Sequence, residues 1–209
     1  LDLFDRENLW ADTALIVSTD HGFLLGEHDW WGKNLMPIHD ELARIPLLVY
    51  HPHYADRGGE RRQALTQAID IMPTVLDFHD APIPPEVRGH SLRAVLEADT
   101  PVRDAAIYGY FGAACNVTDG RYTFLRYPEP MNAENLFEYT LMPTRMHERM
   151  GARELVGAEL HPPFDFTRGM PVLKLKAPAT ADNKPEIMQG RNFLACESVL
   201  YDTLADPGQ

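Results

Sequence analysis

Cysteine, long apolar runs and clustered basic residues are all scarce in this chain of 209 residues. Only two cysteines occur, Cys115 and Cys196, and they are far apart without CxxC spacing. This argues against a zinc ribbon or a disulfide framework and leaves a single bridge open. No run approaches the roughly 18 consecutive apolar residues of a membrane helix, so no membrane partner is expected.

The charge balance excludes a further class of partner. The net charge is −12, and neither lysine nor arginine gathers into a run. A nucleic-acid-binding surface requires a basic patch, so we expect no nucleic-acid partner. The dispersed acidic residues are typical of a solubilising surface.

The opening residues do not have the pattern of an export signal. The opening residues, LDLFDRENLW, lack the basic and apolar regions of a signal peptide and resemble the tail of a helix. We therefore expect the chain to be part of a longer protein, and the compartment stays open. The hydrophobic content of 44% is enough for one medium domain, or for one domain with part of another.

Two apolar runs in the first quarter of the chain predict buried strands. Residues 13–19 (TALIVST) and 45–52 (IPLLVYHP) are continuous and rich in aliphatic side chains. Such runs are typical of a largely parallel sheet covered on both faces, which indicates an α/β fold. Between them, Pro37 is well placed to open a short helix, PIHDELAR.

The secondary structure predicted from the sequence changes near residue 100. Before it, a helix is predicted from about Met72 to His79, followed by the Pro- and Gly-rich break PIPPEVRG. After it, short strands predict a smaller antiparallel layer, with a hairpin turn at Asp119-Gly120. Residues 128–190 are expected to be irregular with scattered helix, and SVLYDTLADPGQ to form a strand and a turn. We therefore divide the chain into residues 1–100 and residues 101–209.

A polar pair follows directly on the first predicted strand. Asp20 and His21 lie at its carboxyl end, where ligand-binding residues collect in parallel sheets. A carboxylate and an imidazole on adjacent residues can reach one divalent cation if the backbone turns sharply, and Gly22 permits such a turn. Other segments must supply the remaining ligands.

A cation follows in the motif WWGKN. Lys33 lies there in an aromatic and glycine turn that could aim its ammonium at an anion. A metal site at the sheet edge beside a cationic side chain is the arrangement needed to bind a phosphoryl or sulfuryl group. The negative charge on the oxygens of such a group must be neutralised as the ester bond breaks. The pattern therefore points to ester hydrolysis.

These segments resemble one known family. TDHGFLLGEHDWWGKN followed by ELARIPLLVYHP is similar to the C-terminal part of the sulfatase catalytic domain, in the alkaline-phosphatase superfamily. The resemblance implies an α/β/α sandwich with a mostly parallel sheet over residues 1–100 and a small antiparallel α+β subdomain over residues 101–209. It also implies that Asp20 and His21 bind the metal and that Lys33 contacts the sulfate. The phrase Gly89 to Leu92 and the ending LYDTLADPGQ resemble later segments of the family.

One part of the family pattern is absent. Sulfatases use a Cys-x-Pro-x-Arg or Ser-x-Pro-x-Arg motif, whose Cys or Ser becomes formylglycine, and an early Asp pair. Neither Cys115 nor Cys196 stands in such a motif. The resemblance thus implies the C-terminal half of a sulfatase, with the formylglycine nucleophile and remaining ligands in a missing N-terminal half.

The function expected from the resemblance is metal-dependent hydrolysis of a sulfate ester. The family favours calcium, while the His ligand leaves manganese, magnesium or zinc open. The alternatives are a phosphonate or phosphate ester hydrolase of the same superfamily, or a non-catalytic module that binds a metal or carbohydrate. The particular ester stays open.

The loop before Lys33 and the surface of the sheet also have expected features. Glu27 and His28 are expected to hold the loop that presents Lys33, and Trp30 and Trp31 to line a pocket or pack that loop. An exposed apolar sheet edge or face is expected, which would favour a homo-oligomer.

Overall fold

The structure is a computed structural model that describes residues 1–33, 37–109, 115–127, 137–144, 148–176 and 197–209. Its helices are α1 (Asp2–Arg6), α2 (Asp40–Ala43), α3 (Ile71–Phe78) and α4 (Arg93–Ala98). Its strands are β1 (Leu15–Ser18), β2 (Leu24–Leu25), β3 (Trp31–Gly32), β4 (Leu47–Tyr50), β5 (Ala106–Gly109), β6 (Cys115–Thr118), β7 (Tyr122–Arg126), β8 (Phe137–Thr140), β9 (Glu159–His161), β10 (Val172–Lys176) and β11 (Val199–Asp202).

The two predicted strands at the start of the chain are present, but they pair with each other in the antiparallel sense. β1 and β4 form a two-stranded sheet in which Leu15 is opposite Tyr50 and Ser18 is opposite Leu47. The mostly parallel sheet expected over residues 1–100 is therefore not formed by this pair.

One face of this small sheet is uncovered. Val17 and Leu48 are directly opposite each other, and they are 48% and 60% exposed. The sequence predicts burial on both faces, whereas the described part of the chain covers only one. The exposed apolar face agrees with the expectation of an incomplete sheet, because two strands alone are marginally stable in water.

Helix α3 occurs where the sequence predicts it, within one residue at each end. Pro73 lies in its first turn, where no helical N–H is lost. The hydroxyl of Thr74 donates to the carbonyl of Asp70 (2.6 Å) and accepts from the backbone N–H of Leu92 (2.9 Å). The segment Gly89 to Leu92 is thereby hydrogen-bonded to the helix.

The later strands form two antiparallel sheets. The four-stranded sheet has the order β11-β7-β6-β5, with the predicted turn at Asp119-Gly120 between β6 and β7. Gly120 has a φ of 96°, which only glycine adopts without strain. The final strand and turn are confirmed by β11, which pairs with β7.

The three-stranded sheet, in the order β8-β10-β9, was not predicted. Residues 128–190 were expected to be irregular, but parts of them form these strands. The strands are three to five residues long, and such short stretches carry too little alternation to stand out. Cross-strand contacts stabilise the pairing. The Lys174 ammonium lies 2.8 Å from the Glu159 carboxylate and 4.3 Å from the ring centroid of Phe137.

A buried cluster joins the first and second parts of the chain. It contains Leu24, Ile38, Leu42, Leu125 and Tyr127, each at most 8% exposed. Side chains from both residues 1–100 and residues 101–209 therefore share one core, while the domain boundary itself stays a prediction. Within the described ranges, no helix is long and apolar enough to cross a membrane.

Candidate functional site

The structure places the Asp20-His21 pair just beyond the carboxyl end of β1. One oxygen of the Asp20 carboxylate accepts from the backbone N–H of His21 (3.0 Å) and from the Thr19 hydroxyl (3.3 Å). The other oxygen lies 3.5 Å from Nε2 of His21. The two side chains are 82% and 36% exposed, so both remain accessible from solvent.

The imidazole of His21 is oriented by its own backbone. Its Nδ1 lies 2.7 Å from the carbonyl oxygen of Gly22, which requires Nδ1–H to donate. Nε2 faces the Lys33 ammonium, which can only donate, so Nε2 accepts and carries the lone pair. A backbone carbonyl that holds one ring nitrogen so that the other can bind a metal is the usual arrangement of metal-ligating histidines.

The Lys33 ammonium faces the same nitrogen. Nζ of Lys33 donates to Nε2 of His21 at 2.8 Å. Lys33 follows β3, which pairs with β2 in a short hairpin, and the pairing of Leu24 with Gly32 brings the lysine back toward residue 21. The three residues predicted from the sequence therefore lie together, with Lys33 on one side of the imidazole nitrogen and Asp20 near it.

Hydrogen bonding favours the ionised form of Asp20. Desolvation raises the pKa of its carboxyl, but hydrogen bonds from the backbone and from Thr19, together with the electrostatic effect of His21, outweigh it, so the net pKa is lowered. An anionic oxygen and an imidazole lone pair are suitable donors for a divalent cation. They supply only part of a coordination shell, since no group of three or more His, Cys, Asp or Glu side chains able to hold a metal occurs among the described residues.

Gly22 is needed for a reason other than the one expected from the sequence. A Cβ built at this position would lie 1.7 Å from the carbonyl oxygen of Glu41, so α2 packs directly on the glycine. The Gly22 N–H also donates to the carbonyl of Leu42 (2.9 Å). Its φ is outside the left-handed region. Close approach of α2, and not an unusual backbone turn, therefore explains the glycine.

We expect Gly22→Ala to displace α2 and to lower the free energy of unfolding by about 1–3 kcal/mol, the usual cost of overpacking. The measurement is urea unfolding of the full-length protein. Gly58→Ala is the matched control, because a Cβ there would meet its nearest atom at 3.5 Å, an ordinary contact. Equal effects of the two substitutions would contradict the packing argument.

The remaining residues of the loop hold its shape. The Glu27 carboxylate accepts from the N–H of Leu25 (2.6 Å), and Nε2 of His28 lies 3.3 Å from the Glu41 carboxylate, in agreement with the expected local roles. Trp30 packs against the buried cluster, whereas Trp31 is 70% exposed. Packing of the loop is thus the role of the first tryptophan alone.

Two residues that contact this loop were missed from the sequence. Neither His39 nor Glu41 stands out in the sequence, yet both contact His28. No local signal identifies them, because the contacts exist only once α2 packs against the hairpin. Cys196 lies outside the described residues, so the bridge to Cys115 that the sequence leaves open is not tested, and Cys115 itself is exposed.

The fold and the site define the class of this protein: an α/β chain that carries a strand-end Asp-His pair with a lysine at hydrogen-bond distance. Residues 26–161 match the family described as N-sulphoglucosamine sulphohydrolase, C-terminal. The chain belongs to this family, and hence to the C-terminal part of sulfatases. The matched range includes Lys33 and begins after His21.

Curated relatives agree with this assignment. The chain is 38% identical over 104 residues to an N-acetylglucosamine-6-O-sulfatase of Bacteroides thetaiotaomicron, covering 48% of this chain and 18% of the relative. It is 34% identical over 88 residues to an arylsulfatase of Clostridium perfringens, covering 41% and 18%. The matched part of the chain thus corresponds to about a fifth of each relative's length.

A solved structure supports the fold. It comes from work on the metabolism of multiple glycosaminoglycans by Bacteroides thetaiotaomicron, and it aligns with 99% of this chain and 34% of its own, with a TM-score of 0.53 and 18% sequence identity. The α/β class with a small antiparallel part is therefore confirmed.

Proposed function

We propose that this chain is the C-terminal part of a metal-dependent sulfuric ester hydrolase. Membership of the sulfatase C-terminal family supports the reaction class. The observation that carries the proposal is the contact between Nζ of Lys33 and Nε2 of His21, with the Asp20 carboxylate 3.5 Å from the same nitrogen. A cation donor and two candidate metal donors thus converge on one solvent-accessible position.

Asp20 and His21 are assigned as metal ligands. A bound divalent cation, with calcium the ion that the family resemblance favours, would supply positive charge for the ester oxygens. The oxygen-rich shell that calcium prefers would require further ligands from outside this chain. The Gly22 carbonyl accepts from Nδ1–H of His21 and leaves the lone pair on Nε2, and hydrogen bonds favour the anionic form of Asp20. Both donors are thus in the protonation state that a metal requires.

Lys33 is assigned as the anion contact. In the structure the Lys33 ammonium donates to the Nε2 lone pair that a metal would use. A bound divalent cation would therefore displace the ammonium by charge repulsion, and an anion held between the two cations would relieve that repulsion. A sulfate ester has oxygens that can contact both. In this proposal Lys33 binds one oxygen and orients the ester, while the formylglycine nucleophile comes from another segment of the full-length protein.

The test is turnover by the full-length protein. The substrates are an aryl sulfate, N-acetylglucosamine-6-sulfate (chosen because one relative is named for it), an aryl phosphate diester and an aryl phosphonate. Preference for a sulfate supports the proposal. Preference for the phosphate or phosphonate would support the alternative hydrolase, and metal binding without turnover of any substrate would support a non-catalytic module.

The isolated 209-residue chain should bind metal weakly. Two donors are far fewer than the six or more oxygen-rich ligands of a typical calcium site, so we expect millimolar or weaker affinity, on the order of 10⁻³ M. Calorimetric titration with calcium and with manganese measures this, and the full-length protein is the comparison. Micromolar binding by the isolated chain would contradict the shared-site assignment.

A further inference from the structure

The loop that carries Lys33 is fastened to helix α2 through one histidine. Nε2–H of His28 donates to the Glu41 carboxylate (3.3 Å), and the His28 ring stacks on the His39 ring, with centroids 3.7 Å apart and planes 10° apart. The His28 side chain is 13% exposed, and His39 is 2% exposed. Two independent contacts therefore hold the tip of the hairpin against α2.

The backbone of the loop needs such an anchor. His28 and Asp29 have φ values of 54° and 56°, in the left-handed backbone region that residues other than glycine rarely adopt. Each such residue costs on the order of 1 kcal/mol or more and persists only where the surroundings enforce it. Trp30, directly after them, packs into the buried cluster. The unusual conformation is thus held by side-chain contacts on both sides.

The same helix holds the opposite side of the site. Backbone atoms of Leu42 and Glu41 pack on Gly22, next to His21. Helix α2 therefore contacts both the segment that presents His21 and the hairpin that presents Lys33. The 2.8 Å contact between these two side chains depends on both attachments.

We infer that His28 is a positioning residue: held by Glu41 and His39, it fixes the β2–β3 loop so that Lys33 points at the anion position beside His21. This inference rests on the function proposed above for its catalytic consequence, but its structural part stands alone. His28 touches no reacting atom in this scheme. Its effect passes entirely through Lys33.

The kinetic test is a double-mutant cycle in the full-length protein. His28→Ala should lower kcat for an aryl sulfate by about 10- to 100-fold, because small displacements of a positioning group have effects of this size. In a Lys33→Ala background the same substitution should change kcat by less than about twofold, since an effect that passes through Lys33 is already lost. An equal loss in both backgrounds would overturn the inference.

Conservative variants separate positioning from folding. His28→Gln keeps a side-chain N–H for Glu41 while losing the ring stack, so its kcat should lie between those of the wild type and His28→Ala. Glu41→Gln should have a smaller effect than His28→Ala, because the ring stack remains. The matched control is His53→Ala, an exposed histidine on the separate turn Pro52–Arg57, which should leave kcat unchanged.

Hydrogen exchange tests the structural part without reference to activity. Amides of residues 24–33 should exchange about tenfold faster in His28→Ala than in the wild type or in His53→Ala, because local opening becomes easier. Unchanged exchange would overturn the inference even if the protein proves to be a sulfatase. Faster exchange in a protein that hydrolyses no sulfate would refute the proposed function and leave the positioning role of His28 intact.

Discussion

Lys33→Ala in the full-length protein is expected to lower kcat for an aryl sulfate by about 10²- to 10³-fold, the usual effect of losing one donor at a developing oxyanion. The reason is local. The Lys33 ammonium is the group that faces Nε2 of His21, where the Asp20 carboxylate also lies. Without it, one oxygen of the ester loses its positive partner as the bond to the leaving group breaks.

The control for Lys33 is Lys174→Ala. Lys174 is paired with Glu159 on the three-stranded sheet and has no contact with the predicted site among the described residues, so its removal should leave kcat unchanged. Inorganic sulfate as a competitive inhibitor gives a second readout. We expect its inhibition constant to rise in Lys33→Ala and not in Lys174→Ala. A Lys33→Ala enzyme with the wild-type rate would refute the assignment of the anion contact.

Removing the buried ion pair of Asp70 and Arg103 is expected to have the largest effect on stability. Asp70 is fully buried, and its carboxylate accepts from the N–H groups of Gln67 (2.7 Å) and His90 (2.8 Å) and from both terminal nitrogens of the Arg103 guanidinium. The carboxylate thus joins three segments distant in sequence. Loss of one partner leaves an uncompensated buried charge, so Arg103→Met should lower the free energy of unfolding by about 3–5 kcal/mol.

The control for this pair is another arginine–carboxylate pair on the surface. Arg121 and Asp202 lie 2.8 Å apart, with the arginine side chain 54% exposed, so Arg121→Ala should change stability little. Urea unfolding of the full-length protein measures both variants. Equal losses would show that burial does not distinguish the two pairs.

Asp70 also predicts a dependence of stability on pH. Desolvation raises the pKa of this carboxyl, but hydrogen bonds from Arg103, His90 and Gln67 outweigh it, so the folded-state pKa is lowered. A lowered folded-state pKa contributes stability that is present above the unfolded-state value of about 3.9 and is lost as pH falls through the folded-state value. In Asp70→Asn this part of the acid dependence should disappear. An unchanged slope of unfolding free energy between about pH 2 and pH 4 would contradict it.

Several elements follow from local sequence alone. The strand over residues 13–19, helix α3 and the Asp119-Gly120 hairpin were all predicted, because apolar runs, helical spacing and turn residues act over a few positions. The candidate site residues Asp20, His21 and Lys33 were identified the same way, from a polar pair after an apolar run and a lysine in a glycine turn. Their resemblance to a sulfatase segment agrees with the family to which the chain belongs.

Other features required contacts between segments that are distant in sequence. The antiparallel pairing of β1 with β4, the buried pair of Asp70 with Arg103 and the stack of His28 on His39 all depend on how elements pack. Gly22 shows the difference within one residue. Its position after Asp20-His21 was visible in the sequence, but its requirement comes from a carbonyl of Glu41 that lies 19 positions later in the chain. Short-range patterns specify which residues are available for chemistry, and packing between distant segments sets the distances at which they meet.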